Sequence, residues 1–405
     1  MNLQYRPISA DLLEDYFKAT TVPFAFDFNE AGFERFSKVF EMPRMRAAFD
    51  GDSIVGTFAT HSLQLTVPGG VVPTGGTSVV TVLPTHRRRG ILRMMMTEHL
   101  REAYENGELL AGLWASESNI YGRFGYGPAT DRILAKLEKP YAVMKHPVNI
   151  DDSLRIVDRE EALELFSPLY EEIRATRPGM FSRREAWWRH RFLSDVENLR
   201  GGATAYRYIV HMRDDKPVGY LVFRVKAASV FAANTALIQE LLAIDPAAEK
   251  ALWQFVFGLD LVSEISCWNL PTDTPLRWWL ADPRRMERIV QDGLWIRVVK
   301  VDAALSQRKY SAAGKVTFSI EDEQCPWNDG NYSLEVDQDG NGHCQRTNDE
   351  AAVQLTPFSL GSAYLGGPRF CELARAEIIS GDFQSIEKLD AMFAWNQAPW
   401  CQEIF

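Results

Sequence analysis

From Val79 to Pro128 the chain runs through a pattern that few folds can accommodate. Val79 to Leu83 is a β-rich run stopped by Pro84, arginines stand at 87, 88 and 89, and from Gly90 the apolar residues Ile91, Leu92, Met95, Met96, Leu100 and Ala103 recur at helical spacing. The spacing predicts a strand, a tight basic turn and an amphipathic helix. A helix start leaves backbone N–H groups without intrahelical partners, and the helix dipole adds partial positive charge, so the place suits a phosphate or pyrophosphate. Gly90 lets a ligand approach the backbone where a side chain would block it. Three arginines alone say little, because a charge run is usually a solvated face.

The order of the pieces says more. The turn is followed by a second predicted strand, Leu109 to Ala115, and then by Ile120-Tyr-Gly-Arg-Phe-Gly-Tyr126. Arg87-x-x-Gly90 on such a strand-to-helix turn resembles the acetyl-coenzyme A signature of GCN5-related N-acetyltransferases (GNAT). The usual pattern ends Gly/Ala two residues after the glycine, and Leu92 departs from it, which implies a slightly looser approach at one pyrophosphate oxygen. Pro84-Thr-His-Arg-Arg-Arg-Gly-Ile-Leu-Arg93, Ala115-Ser-Glu117, Ile120 to Thr130 and a sequence ending in Phe405 are similar to the Eis (enhanced intracellular survival) family of aminoglycoside acetyltransferases. The resemblance covers essentially the whole chain.

The resemblance implies an α+β chain of tandem GNAT folds, the second lacking the cofactor motif, followed by a sterol carrier protein-like α/β domain. The expected boundaries are 1–147, 148–297 and 298–405. Within the second part, Leu237 to Ile244, Asp245-Pro246 and the helical run Ala247 to Phe257 repeat the strand, proline, helix layout without the arginines and the glycine. In the third, Asp337-x-Asp339-x-Asn341-Gly342 matches the opening of an EF-hand loop, but Asn348 stands where a bidentate Glu is needed and the flanks read as strands. A hairpin turn is the expectation there, and no metal.

The same resemblance assigns roles. Val80, Thr81 and Val82 would face the acetyl group and pantetheine arm of acetyl-CoA, and Arg87, Arg88, Arg89, Gly90, Ile91, Leu92 and Arg93 would hold its pyrophosphate, with Ser116 and Glu117 in the same cofactor site. Acetyl transfer needs a proton for the departing thiolate, and Tyr121 and Tyr126 compete to supply it. Tyr121 occupies the family's position for the general acid, and Tyr126 is expected in the core. Phe24, Phe26 and Asp27 lie in an aromatic stretch that reads either as a packed connector or as the mouth of an amine site, since a carboxylate beside aromatic faces attracts a cation. The sequence from Met392 to Phe405 is rich in large apolar residues, whereas chain ends are usually frayed and polar, so it is expected to be inserted in the fold. The resemblance places the Phe405 α-carboxylate in the active site as general base, with Glu403 adding negative charge.

Composition narrows the partners. A length of 405 residues suggests two to three domains, and no stretch approaches the roughly 20 apolar residues of a membrane span. The start carries no signal-peptide core, so a cytoplasmic, non-membrane protein is expected. The five cysteines lack paired spacing and read as reduced core residues. A net charge of −10 argues against nucleic acid and favours, weakly, a cationic small molecule. The expectation is an acetyl-CoA-dependent N-acetyltransferase acting on polycationic amines such as aminoglycosides, and a homohexamer by resemblance. Its rivals are acetylation of protein lysines or polyamines, and a lipid carrier that retains an acetyltransferase scaffold.

Overall fold

Apolar residues recur along the strands from Met45 to Val82, and most positions on both faces of these strands are buried. The computed structural model describes residues 3–148, 153–228 and 233–405. Strands β1 (Leu3–Pro7), β2 (Met45–Asp50), β3 (Ser53–Val67), β4 (Gly70–Val82), β5 (Leu110–Trp114) and β6 (Gly127–Pro128) come first. They are followed by β7 (Asp131–Glu138), β8 (Leu154–Val157), β9 (Arg207–Arg213), β10 (Lys216–Lys226), β11 (Asn234–Ala243), β12 (Val262–Leu270), β13 (Glu287–Asp292) and β14 (Leu294–Val298). One seven-stranded sheet has the order β1-β2-β3-β4-β5-β14-β6, and the other β13-β7-β12-β11-β10-β9-β8.

Residues 131–147, expected with the first domain, therefore contribute β7 to the second sheet. Gly293 to Arg297, expected to close the second domain, lie instead between β5 and β6 of the first sheet. Both crossings occur side by side, where Gly293 N–H donates to Thr130 O and Leu294 N–H to Thr130 Oγ1, each at 2.8 Å. Alternation of side chains shows that a segment is a strand but does not record which sheet it joins. The described residues form two compact units: 1–130, 178–181 and 293–405 in one, and 131–177 with 182–292 in the other.

In the first unit, helices α1 (Leu13–Phe24) and α2 (Glu30–Val39) cover one face of the sheet and α3 (Ile91–Glu105) the other. Tyr16, Phe17 and Phe36 pack on Met45, Ala47, Phe49 and Ala59, whereas Ile91, Met95, Met96 and Leu100 pack on Ala48, Val55 and Phe58. A short 3-10 turn, Ala10–Leu12, precedes α1, which runs to Phe24, where Ala25 in the left-handed region ends it. Gly75-Gly76 lies inside a continuous β4. On one side a Cβ at Gly75 would come within 2.6 Å of the Glu108 carboxylate, itself paired with Arg44 at 2.7 Å. On the other, a Cβ at Gly76 would meet Leu63 at 2.6 Å. The glycines serve close packing here rather than a turn.

Also in the first unit, β15 (Gly314–Ile320), β16 (Gly330–Val336), β17 (Gly342–Arg346), β18 (Val353–Leu355) and β19 (Ser380–Gly381) form a five-stranded sheet ordered β17-β16-β15-β18-β19. The Asp337 carboxylate accepts from the backbone N–H of Asp339 and Asn341, so the EF-hand look-alike is the β16–β17 hairpin turn. β14 is tied to this part by Arg297, whose guanidinium meets both Asp322 oxygens at 2.6 Å; the two side chains are 1% and 2% exposed. All five cysteines are free thiols.

In the second unit, helix Pro246–Gly258 is capped by Asp245, which accepts from Ala248 N–H and pairs with Arg213 at 2.6 Å. An acid already occupies the helix start, leaving no place for a phosphate. Behind it, burial pushes the Glu249 carboxyl up from 4.5 to about 7, partly offset by Arg177.

Two predictions follow from these buried charges. Asp322→Ala strands the Arg297 guanidinium and is expected to lower unfolding free energy by about 3–5 kcal/mol in a denaturant titration. The folded chain retains a proton on Glu249 that the unfolded chain has lost, so stability should fall as pH rises from about 4.5 through 7. Glu249→Gln should flatten that segment of the melting-temperature profile, exceeding the parent at pH 8 and losing the advantage at pH 4.

Candidate active site

β4 and β5 run parallel but pair only over Thr74↔Leu110, Gly75↔Ala111 and Gly76↔Gly112. Beyond Gly76, β4 continues for six residues beside β3 alone, so its other edge turns bare backbone N–H and C=O groups into the gap. The gap begins with a bulge. Thr57 pairs with Thr81 and Ala59 with Ser78, leaving Val79 and Val80 opposite the single residue Phe58. Val79 sits at φ 45°, an outlier for a β-branched residue, and the Thr57 hydroxyl donates to its carbonyl at 2.7 Å. The predicted residues Val80, Thr81 and Val82 thus form the strand edge that borders the gap. Val79 was missed, because nothing in a β-branched residue signals a positive φ.

β4 leads through Pro84–His86, a 3-10 turn, to Arg87, Arg88 at φ 62° and Gly90 at φ 79°. Gly90 caps α3 without any side-chain hydrogen bond, so the N–H groups of Ile91, Leu92 and Arg93 are left for a ligand. Arg87, Arg88, Arg89 and Arg93 are exposed, and among the described residues no carboxylate pairs with Arg87, Arg88 or Arg93. Unneutralised guanidiniums around an uncapped helix start fit a pyrophosphate group.

Helix α4 (Ser118–Tyr121) stands beyond the end of β5. Tyr121 is 6% exposed, and burial raises the pKa of its phenol above the ordinary 10, with a hydrogen bond to Ser116 opposing and Glu117 adding to the rise. It therefore holds its proton throughout the neutral range. Ser116 and Glu117, exposed themselves, stand close enough to Tyr121 to act on its phenol. Tyr126 is fully buried with its ring 6.3 Å from that of Tyr121, and its hydroxyl lies 3.2 Å from Thr77 Oγ1. From Thr77 the chain of polar contacts runs to His99 Nε2 at 2.9 Å and from its Nδ1 to Thr60 at 3.2 Å. Burial, with Arg44 nearby, pushes the His99 imidazole down to about 3, so the network is uncharged. Sequence reading missed it, because Thr77 and His99 share no local motif.

Thr77 faces α3, and strand alternation turns Gly76 to the opposite side. There the Phe405 ring lies 3.2 Å from where a Gly76 Cβ would be, 6.2 Å from the His61 ring and 5.3 Å from the Phe181 ring, both edge-on. His61 continues to Phe40 at 4.5 Å, Phe36 at 4.1 Å and Phe17 at 5.0 Å, forming a row of rings. Phe26 and Phe28 meet Phe17 at 5.8 Å each and are 40% and 37% exposed. The row thus leads from the surface to Phe405. Phe24, the last residue of α1, and Asp27, on the connector to α2, are exposed, whereas Glu403 is buried near Phe405 in sequence. The apolar end is inserted in the fold, with Pro399 to Glu403 buried.

Comparison with known proteins agrees with this geometry. Acetyltransferase (GNAT) domain profiles match residues 4–129 and 179–298, and a sterol carrier protein domain profile matches 301–402. An uncharacterized N-acetyltransferase of Streptomyces avermitilis is 39% identical over 373 residues, 90% of each chain. N-acetyltransferase Eis of Mycobacterium tuberculosis is 36% identical over 352 residues, covering 85% of this chain and 84% of that one. Eis1 from Mycobacterium abscessus superposes over the full length of both chains at TM-score 0.86 with 28% identity. A GCN5-related N-acetyltransferase from Anabaena variabilis shares the fold at TM-score 0.89 and 19% identity. With two GNAT domains, a sterol carrier-like domain and full-length relatives of this kind, the chain belongs to the Eis-like family of GCN5-related N-acetyltransferases.

Proposed function

We propose that this N-acetyltransferase takes its acetyl group from acetyl-CoA and places it on amino groups of polycationic small molecules, aminoglycosides first among them. The observation that carries the reading is the gap between β4 and β5, which has the uncapped α3 start at its mouth, Tyr121 on one side and Phe405 on the other. The donor supplies an activated thioester. Arg87, Arg88, Arg89 and Arg93, with the N–H groups from Gly90 to Leu92, would hold its pyrophosphate, and the bare edge from Val80 to Val82 would align and polarise its carbonyl. Ser116 and Glu117 would flank the same arm.

In this reading Tyr121 donates its proton to the departing thiolate, a role that suits a phenol kept neutral by burial. The Phe405 α-carboxylate accepts the proton from the attacking amine, with Glu403 adding negative charge. Acid and base then act from opposite faces of the sheet. Phe24, Phe26 and Asp27 would receive the cationic substrate at the outer end of the row of rings. We propose further that residues 1–130 together with β14 carry the donor site, that 298–405 brings in the C-terminus, and that the assembly is a cytoplasmic homohexamer.

The test is thiol release from acetyl-CoA with a panel of aminoglycosides, polyamines and lysine peptides. Turnover on aminoglycosides is expected. Turnover confined to lysine peptides or polyamines would replace the substrate class, and absence of acetyl-CoA binding would remove the reading. Tyr121→Phe should lower kcat by about 10²-fold or more while leaving acetyl-CoA affinity within a few-fold, measured by steady-state kinetics and calorimetry.

A further inference from the structure

Residues Pro178 to Phe181 belong to the first unit, although Arg177 before them and Ser182 after them belong to the second. All four are buried. On one side they lie along β3 past Ala59, where β2 no longer covers its edge. Gly179 N–H donates to Thr66 O and Thr66 N–H to Met180 O, each at 2.9 Å, and Leu65 bridges Phe181. On the other side they meet the end of the chain. Trp400 N–H donates to Pro178 O at 2.9 Å, and the Phe181 ring stands edge-on to Phe405 at 5.3 Å.

Gly179 makes this fit possible. Its φ is +97°, and a Cβ there would fall 2.7 Å from Trp400 O and 2.9 Å from Trp400 N. Two backbones pass at a distance that no side chain allows. Residues 394–405 form no helix or strand, so regular backbone structure does not set the place of Phe405 and contacts with the rest of the fold matter more.

We infer that Pro178–Phe181 is the seat that positions Phe405 for acetyl transfer: a segment pinned to β3 on one side and to Trp400 and Phe405 on the other. These residues position and do not react. The inference rests on the role proposed above for the Phe405 carboxylate, because a base displaced by about 1 Å loses much of its effect.

Hydrogen exchange of the 394–405 peptide, read beside steady-state kinetics, tests it. Gly179→Ala should speed exchange there about tenfold or more and lower kcat about tenfold, with the KM for acetyl-CoA within twofold. In a chain lacking Phe405, Gly179→Ala should lower kcat no further. If Gly179→Ala does not fold, Phe181→Leu, which keeps the backbone and removes the ring contact, should show the same two effects at smaller size. Unchanged exchange in the folded variants would overturn the seat, as would an equal loss of kcat with and without Phe405. If removal of Phe405 leaves turnover intact, the carboxylate role falls and the positioning inference with it, whereas an intact carboxylate role with unchanged exchange sinks the seat alone.

Discussion

The structure depends on the parting of two parallel strands. β4 and β5 share three residue pairs and then diverge at Gly76 and Gly112, leaving the rest of β4 with one neighbour. Unpaired backbone groups inside a protein are costly unless water or a ligand meets them. The gap is held open from both sides: Val79 bulges under the hold of Thr57, and Thr77 is fixed to His99 and Tyr126. The glycines at 75 and 76 let Glu108 and Leu63 close tightly on the last paired residues, so divergence starts at a defined point.

The surroundings of that gap are distributed over the chain. The turn from Arg87 to Gly90 lies close after β4, but β14 begins only at Leu294 and enters between β5 and β6. Its Arg297, paired with Asp322, ties the sheet to the carrier-like part. That part leads to Phe405 on the face opposite α3. The second GNAT domain keeps the strand and helix of the first, but Asp245 and Arg213 close its helix start, where α3 is left open. One scaffold thus appears twice with opposite electrostatics at the corresponding place.

Local chemistry was legible in the sequence wherever a short segment carries its own reason. The basic turn, the α3 periodicity, the Asp337 turn and the buried end of the chain all follow from residues within a few positions of one another. The placement of Tyr121 beside Ser116 and Glu117 was legible through the family motif. The surroundings of Val79, Thr77, His99, His61 and Phe181 were not, because each acquires them from residues far along the chain. The role of Gly75-Gly76 was not legible for the same reason: a glycine pair signals a turn or a close approach, and only the neighbours decide which.

By itself the sequence determined the class of fold, the acetyltransferase family and the sites of charge and apolar periodicity, because these depend on short-range patterns and on an Arg87-x-x-Gly90 turn that is kept although Leu92 departs from the rest of the motif. Tertiary structure alone decided which sheet β7 and β14 join, where β4 leaves β5, and which residues face each other across the gap. Strand pairing and ring contacts are long-range choices among segments with similar alternation, and they are made by packing, which the order of residues specifies only through the folded whole.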